Sequence, residues 1–195
     1  MYADGSCYEG TDIDFAATGG SCVQIDEVTK KIVKSARATL PEWMEQSAAS
    51  GEHYGCHLGV LFTPRSPTIH ADCASVVRSA TSREYAVDWR RPFAGLWKKV
   101  KAHVWPDVVK TKAHRTLEEA KRSDDARHWH GNYEADLYAK MAAEAGRAPQ
   151  HLRNEQDIVQ RYWPRLILAV SALLSIWPFP KETYSAGKWI KGGKK

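Results

Sequence analysis

The sequence predicts an α/β fold: a five-stranded mixed sheet whose first three strands run antiparallel, flanked by helices and followed by a C-terminal helical extension. Three observations predict it. Three short strand-like stretches follow one another at the N-terminus. The apolar period then turns helical after Gln46. From there, strand-like runs at Thr68 and Asp107 alternate with helical stretches.

The opening Met1–Ser6 is short and turns at Asp4-Gly5-Ser6, and because only three residues precede Asp4 the first strand is expected to be clipped. Phe15–Asp26, with Phe, Val and Ile among small residues, reads as the second strand, and Val28–Ala38, centred on Ile32 and Val33, as the third. Between Gln46 and Phe62, the residues Tyr54, His57, Leu58, Leu61 and Phe62 recur at helical spacing, until Pro64 and Pro67 end the helix. Thr68–Ala71 is a short strand leading into Asp72, and Cys73–Ser79 a helix. A further helix spans Pro92–Val104 with Phe93, Leu96, Trp97 and Val100 as its apolar stripe. Asp107–His114 reads as the fifth strand, Arg115–Trp129 as a polar, partly helical connection, and Asn132–Glu144 as a helix with Ala135, Leu137, Tyr138 and Met141 near its buried side. Gly146–Pro149 marks a boundary. It divides the chain into a domain over residues 1–147 and an extension over 148–195. The extension holds one helix around Asp157–Ile176, which Pro164 kinks or splits, and a basic end, Lys181–Lys195.

The 195 residues are 43% hydrophobic and 26% charged, which excludes a disordered chain and leaves material for a core. The net charge of +5 is unevenly placed. Between Arg83 and Arg122 eleven basic residues face five acids, a local charge of +6 that leaves −1 for the rest of the chain. Such a concentration points to nucleic acid. The four cysteines (Cys7, Cys22, Cys56 and Cys73) form no C-x-x-C pair, which argues against a zinc knuckle. The N-terminus has no basic or apolar signal region, so an intracellular protein, nuclear or cytoplasmic, with reduced thiols is expected. The apolar run Leu166–Trp177 is too short to span a bilayer, and no membrane partner is expected.

Three acids converge in this layout. Asp4 closes the first strand, Asp72 closes the fourth, and Asp136 lies in about the first turn of the last helix of the domain; Glu52, in the first helix, is a fourth candidate. Carboxylates that share a site raise one another's pKa unless cations separate their charges. All-oxygen ligands suit Mg²⁺ or Mn²⁺, and two such ions about 4 Å apart can activate water against a phosphodiester. Taken singly, Asp4 also fits a turn, Asp72 a helix N-cap and Asp136 a solvated helix position.

Four motifs in order resemble ribonuclease H of type 1, in its retroelement-associated form. They are Asp4-Gly5-Ser6, His70-Ala71-Asp72-Cys73-Ala74-Ser75-Val76-Val77, Lys112-Ala113-His114 and Gly131-Asn132-Tyr133-Glu134-Ala135-Asp136. The resemblance covers about Met1 to Arg147. It implies a ribonuclease H-like fold and endonucleolytic hydrolysis of the RNA strand of an RNA–DNA hybrid. It further implies two Mg²⁺ or Mn²⁺ ions held by Asp4, Glu52, Asp72 and Asp136, and His114 as an auxiliary histidine. It places Arg90, Arg91, Lys98, Lys99 and Lys101, with Trp89 and Trp97 nearby, in the substrate-handling region. Gln46 and Ser47 become candidates for gripping a DNA phosphate. Trp97 itself is expected in the core, given its stripe. A reverse transcriptase or parent polyprotein is the implied partner.

The sequence departs from the family's pattern in four places. The first strand is short, Ala71 stands where a threonine is usual, and Tyr8–Phe15 replaces a glycine-rich stretch. An insertion after His114 adds His128 and His130, which compete for the auxiliary role and read otherwise as two loop histidines. The alternative to the enzyme is an inactive, nucleic-acid-binding or interaction module of the same fold.

Overall fold

The structure is a computed structural model describing all residues except 11, 13, 113–114, 124, 177–181, 186–187 and 192–195. The chain divides into two compact units, Met1–Ala148 and Pro149–Lys195.

In the first unit, β1 (Tyr2–Tyr8), β2 (Ala17–Ile25) and β3 (Ile32–Thr39) form the antiparallel meander. Then follow α1 (Ala48–Leu61), β4 (Thr68–Ala71), α2 (Ala74–Thr81), α3 (Arg83–Val87), α4 (Ala94–His103), β5 (Asp107–Lys110), α5 (Leu117–Arg122) and α6 (Ala126–Ala145). The sheet order is β3-β2-β1-β4-β5. β1 pairs antiparallel with β2 (Asp4 opposite Ser21) and parallel with β4 (Tyr2 opposite His70), and β4 pairs parallel with β5. The five-stranded mixed sheet is therefore as expected.

The first strand does not turn at Asp4. It runs seven residues straight through Asp4-Gly5-Ser6, where a turn is the local expectation. Gly5 serves close approach instead: a Cβ there would lie 2.1 Å from the backbone N of Glu52, so α1 rests directly on β1. On the opposite face a Cβ at Gly131 of α6 would sit 2.2 Å from the Tyr2 ring. Two glycines thus draw a helix onto each side of the central strand.

The apolar stripes expected of the two helices hold only in part. α1 buries His57 and Leu58 of the expected stripe together with Gly51, Gly55, Cys56, Gly59 and Val60, while Leu61 and Phe62 are exposed. α6 buries Ala135, Ala139, Ala142 and Ala143 and leaves Leu137 and Met141 exposed. Helices lying this close to the sheet seat their smallest residues against it, and the larger side chains are displaced to the rim. On α4 the expected stripe holds at Leu96, Trp97 and Val100, and Trp97 is among the largest fully buried side chains.

The third strand starts four residues late because Asp26 caps a tight turn. Its Oδ1 accepts from the backbone N–H groups of Thr29 at 2.7 Å and Val28 at 3.1 Å, and Lys30 takes φ 59. The polar connection after β5 is largely helical. Thr116 and Glu119 form a reciprocal capping box at the start of α5, and α6 begins at Ala126, so Asp136 lies mid-helix rather than in the first turn.

In the second unit α7 (Gln150–Ile176) starts seven residues earlier than expected and continues past Pro164 as one helix. β6 (Glu182–Ser185) and β7 (Lys188–Lys191) pair as an antiparallel hairpin within the basic end. Among the described residues no helix is long and apolar enough to cross a membrane.

Candidate metal centre and cleft

Asp4 sits on the central strand with its side chain on the α6 face, two residues on from Tyr2. It is buried, and its Oδ1 accepts from Gly5 N–H at 2.7 Å. Glu52 comes from the first half of α1, carried to β1 by the close approach at Gly5. Asp72 immediately follows β4, whose parallel pairing beside β1 sets it next to Asp4. It does not cap α2, whose N-cap is Cys73. One carboxylate oxygen from each of Asp4, Glu52 and Asp72 lies within 4.8 Å of the others.

Burial, then the charge of Asp72, pushes the Asp4 carboxyl up to about 7. Glu52 is pushed up to about 11, by burial first and then by Asp4 and Asp72. Without a cation, the two carboxyls therefore resist ionising together. Glu52 Oε2 is buried with no hydrogen-bond partner. An orphaned carboxylate oxygen beside two further carboxylates is an environment that a hard divalent cation satisfies, so the residues present fit Mg²⁺ or Mn²⁺.

These acids line a cleft of about 390 Å³ that also takes in Lys112, Arg115, Trp129, Asn132, Tyr133, Asp136 and Lys140. Asp136 is on the cleft wall but outside the close group, and its Oδ2 accepts from Lys140 Nζ at 2.7 Å. It is held near the site by the buried bond from Ser21 Oγ to Ala135 O at 2.6 Å. Asn132, one turn earlier, donates from Nδ2 to Asp72 Oδ2 at 3.4 Å, and its Oδ1 is buried without a partner.

The other expected site residues are distributed differently. His114 lies outside the described residues. His128 and His130 are helical, on α6, rather than in a loop. His128 is turned away into a cluster with Tyr2, whose hydroxyl lies 3.0 Å from His128 Nδ1, and with His70 at 4.4 Å between ring centroids. Gln46 is engaged by the chain itself: its Oε1 accepts from Thr18 N–H at 3.1 Å and its Nε2 donates to Pro41 O and Met44 O. Ser47 is the N-cap of α1, accepting from Ser50 N–H at 3.2 Å. Lys98, Lys99 and Lys101 are exposed on α4, with Lys99 over the Trp43 ring. Arg90 pairs with Asp88 at 2.7 Å and Arg91 lies over Tyr85. None of these five cations lines the cleft, whose own cations are Lys112, Arg115 and Lys140.

Four cleft residues that sequence reasoning did not assign to the site share a helical signal, two of them with Asp136. Asn132, Asp136 and Lys140 recur every four residues, as do Trp129 and Tyr133. Starting the helix at Asn132 hides the second pair.

The sheet order, the helix on each face of β1 and the acids gathered around that strand define a ribonuclease H-like fold. Among solved structures the chain is similar to the RNase H domain of prototype foamy virus, with a TM-score of 0.54 at 17% identity over 74% of this chain and 93% of that one. It is also similar to the prototype foamy virus protease–reverse transcriptase, with a TM-score of 0.52 at 18% identity over 73% of this chain. The chain spans about 20% of that longer protein's length. No protein-family profile and no curated protein matches the sequence.

Proposed function

We propose that the chain cuts the RNA strand of RNA–DNA hybrids endonucleolytically with two divalent cations, Mg²⁺ or Mn²⁺, leaving a 5′-phosphate and a 3′-hydroxyl. The observation that carries this reading is the approach of Asp4, Glu52 and Asp72 to within 4.8 Å in a cleft rimmed by cations. These three would hold the metal, with Asp136 joining when Lys140 lets go of it. Bound there, the metal supplies a water of lowered pKa and neutralises charge on the leaving oxygen.

The chain's own residues do the rest. Asn132 orients Asp72. Lys112 and Arg115 attract the phosphate, and the exposed Arg90, Arg91, Lys98, Lys99 and Lys101 add salt-dependent affinity away from the cleft. His114 is the proposed auxiliary histidine. The likeness to the foamy virus RNase H domain supports the substrate class, and the protease–reverse transcriptase supports a reverse transcriptase or parent polyprotein as partner. Residues 1–147 would carry the reaction, in the nucleus or cytoplasm, with 148–195 as an appended extension.

The Lys140–Asp136 pair favours a second reading, a hybrid-binding module that does not cut. Incubation with labelled RNA–DNA hybrid, RNA duplex and DNA duplex, in Mg²⁺, Mn²⁺ or EDTA, separates the two. Metal-dependent cutting of the hybrid's RNA alone, abolished by Asp72→Asn, is the expected result. Binding without cutting in both ions would overturn the enzyme reading.

A further inference from the structure

One wall of the cleft is aromatic, and nothing in the proposed chemistry uses it. Trp129 and Tyr133, one turn apart on α6, stack with ring centroids 5.1 Å apart and planes 13° apart. The Trp129 indole N–H donates to Arg115 O at 2.8 Å, and Arg115 is itself paired with Asp125. The stack is therefore anchored from below. Tyr133 is 50% exposed although Trp129 covers one side of it. Its neighbour in sequence, Asn132, bonds Asp72, so the platform stands beside the acids.

A half-exposed tyrosine on a fixed tryptophan is a rigid flat surface that loses little side-chain freedom on binding. The surface complementary to it is another flat π-face. In a nucleic acid that means a base, but inside a hybrid every base face is already covered by its neighbours. The base that can reach Tyr133 is an unpaired one. Lys112 and Lys140 line the same cleft and suit the phosphates of such a strand.

We propose that Trp129 and Tyr133 form a stacking subsite for an unpaired nucleobase flanking the hybrid, so that the protein favours hybrids carrying a single-stranded RNA extension over blunt ones. The subsite rests on the hybrid-nuclease reading and specifies its substrate.

The test compares a blunt hybrid with the same hybrid extended by about six unpaired ribonucleotides at either end. Binding is measured in EDTA and cleavage in Mg²⁺. The wild type should bind one extended form about five- to tenfold more tightly than the blunt one, the low end of the range expected for a single stacked base. Tyr133→Ala should bring the ratio of blunt to extended Kd to about one, and Tyr133→Phe, which keeps the ring, should restore the preference. With 2-aminopurine in the extension, stacking should quench its fluorescence in the wild type and not in Tyr133→Ala. Equal affinity for blunt and extended hybrids in a wild type that binds or cuts the blunt hybrid overturns the subsite alone. So does a preference that survives Tyr133→Ala. A wild type that binds neither hybrid overturns the nuclease reading together with it.

Discussion

The indole N–H of Trp97 donates to Nδ1 of His53 at 2.9 Å inside the core. Because the indole only donates, Nδ1 must be bare, and the neutral ring carries its proton on Nε2, 3.1 Å from Ser75 Oγ. Phe93 stacks on the same ring at 4.0 Å, and burial holds the His53 pKa down to about 4. One bond thus ties α4 to α1 at the residue after Glu52. Trp97→Phe removes the donor and strands a buried acceptor, so a loss of about 2 kcal/mol is expected from urea unfolding. Wild-type stability in that variant would exclude the bond as a contributor.

His57 gives the fold an acid-sensitive component. Burial first, then Lys99 and His103, lowers its pKa from 6.5 to about 4. Between these values the unfolded chain takes up a proton that the folded chain refuses, so its share of stability is intact above pH 6.5 and lost as pH falls toward 4. Asp4 and Glu52, whose folded pKa values are raised, act in the opposite sense over the same range. The informative quantity is therefore the difference between wild type and His57→Gln. The wild-type urea midpoint should fall relative to the variant's from pH 6.5 to 4. Parallel curves would remove His57 as the cause.

How far the structure was legible follows from the same residues. Alternating strand and helix periods carry the element order, and the Phe93–Val100 stripe correctly buries Trp97. Asp4-Gly5-Ser6 misleads because aspartate and glycine are a local turn signal, whereas Gly5 answers to a helix 47 positions away. The glycine and alanine positions of the buried faces of α1 and α6 are hidden for a related reason, although His57, Leu58 and Ala135 are buried as their spacing predicts. Glycine and alanine weigh little in a hydrophobic period, yet they decide how closely a helix can lie. The early turns of α6, Arg127-His128-Trp129-His130, carry no apolar stripe and read only as part of a partly helical connection, so the aromatic wall is lost with them. As for the acids, composition alone leaves each with a bland alternative. Only the fold, by bringing β1, α1 and β4 to one point, makes Asp4, Glu52 and Asp72 a group.

That grouping predicts a metal-linked gain in stability. A cation that binds the folded state alone stabilises it by about 2.7 kcal/mol at a hundredfold excess over its Kd. Mg²⁺ or Mn²⁺ should raise the melting temperature of the wild type but not of Asp4→Asn. Since burial and the neighbouring acids favour the protonated form of Glu52, metal uptake should also release protons. Calorimetric titrations in two buffers of different ionisation enthalpy would reveal that release. Equal heats in both would contradict a protonated Glu52.

Arg147 tests whether the end of α6 is clamped to the meander. Its guanidinium donates to Glu9 Oε1 at 2.7 Å and to Glu144 Oε2 at 2.9 Å, and it lies 4.7 Å from the Tyr8 ring centroid. Glu9 accepts that bond from a left-handed conformation, φ 54, just past β1. A lysine keeps the charge but cannot serve two carboxylates and a ring face with one planar fork. Arg147→Lys should therefore lose nearly as much stability as Arg147→Ala, about 1 kcal/mol in each case. A lysine variant as stable as the wild type would reduce the clamp to simple charge pairing.

Gly5 offers the sharpest test of the close approach on which the site depends. A methyl group there would meet the backbone N of Glu52 at 2.1 Å and the backbone C of Gly51 at 2.3 Å. Neither partner is a flexible side-chain end, so α1 as a whole must move. Overpacking of this kind costs about 1–3 kcal/mol, and more when backbone must shift. Gly5→Ala should therefore be destabilised by about 3 kcal/mol. Any folded fraction should bind Mn²⁺ more weakly, because moving α1 carries Glu52 away from Asp4. Gly95 supplies the control. A Cβ there meets nothing within 4 Å, and alanine is the better helix former. Gly95→Ala should thus be neutral or stabilising, with Mn²⁺ affinity unchanged. Equal stability and equal metal affinity for Gly5→Ala and Gly95→Ala would show that Glu52 does not depend on the contact of α1 with β1.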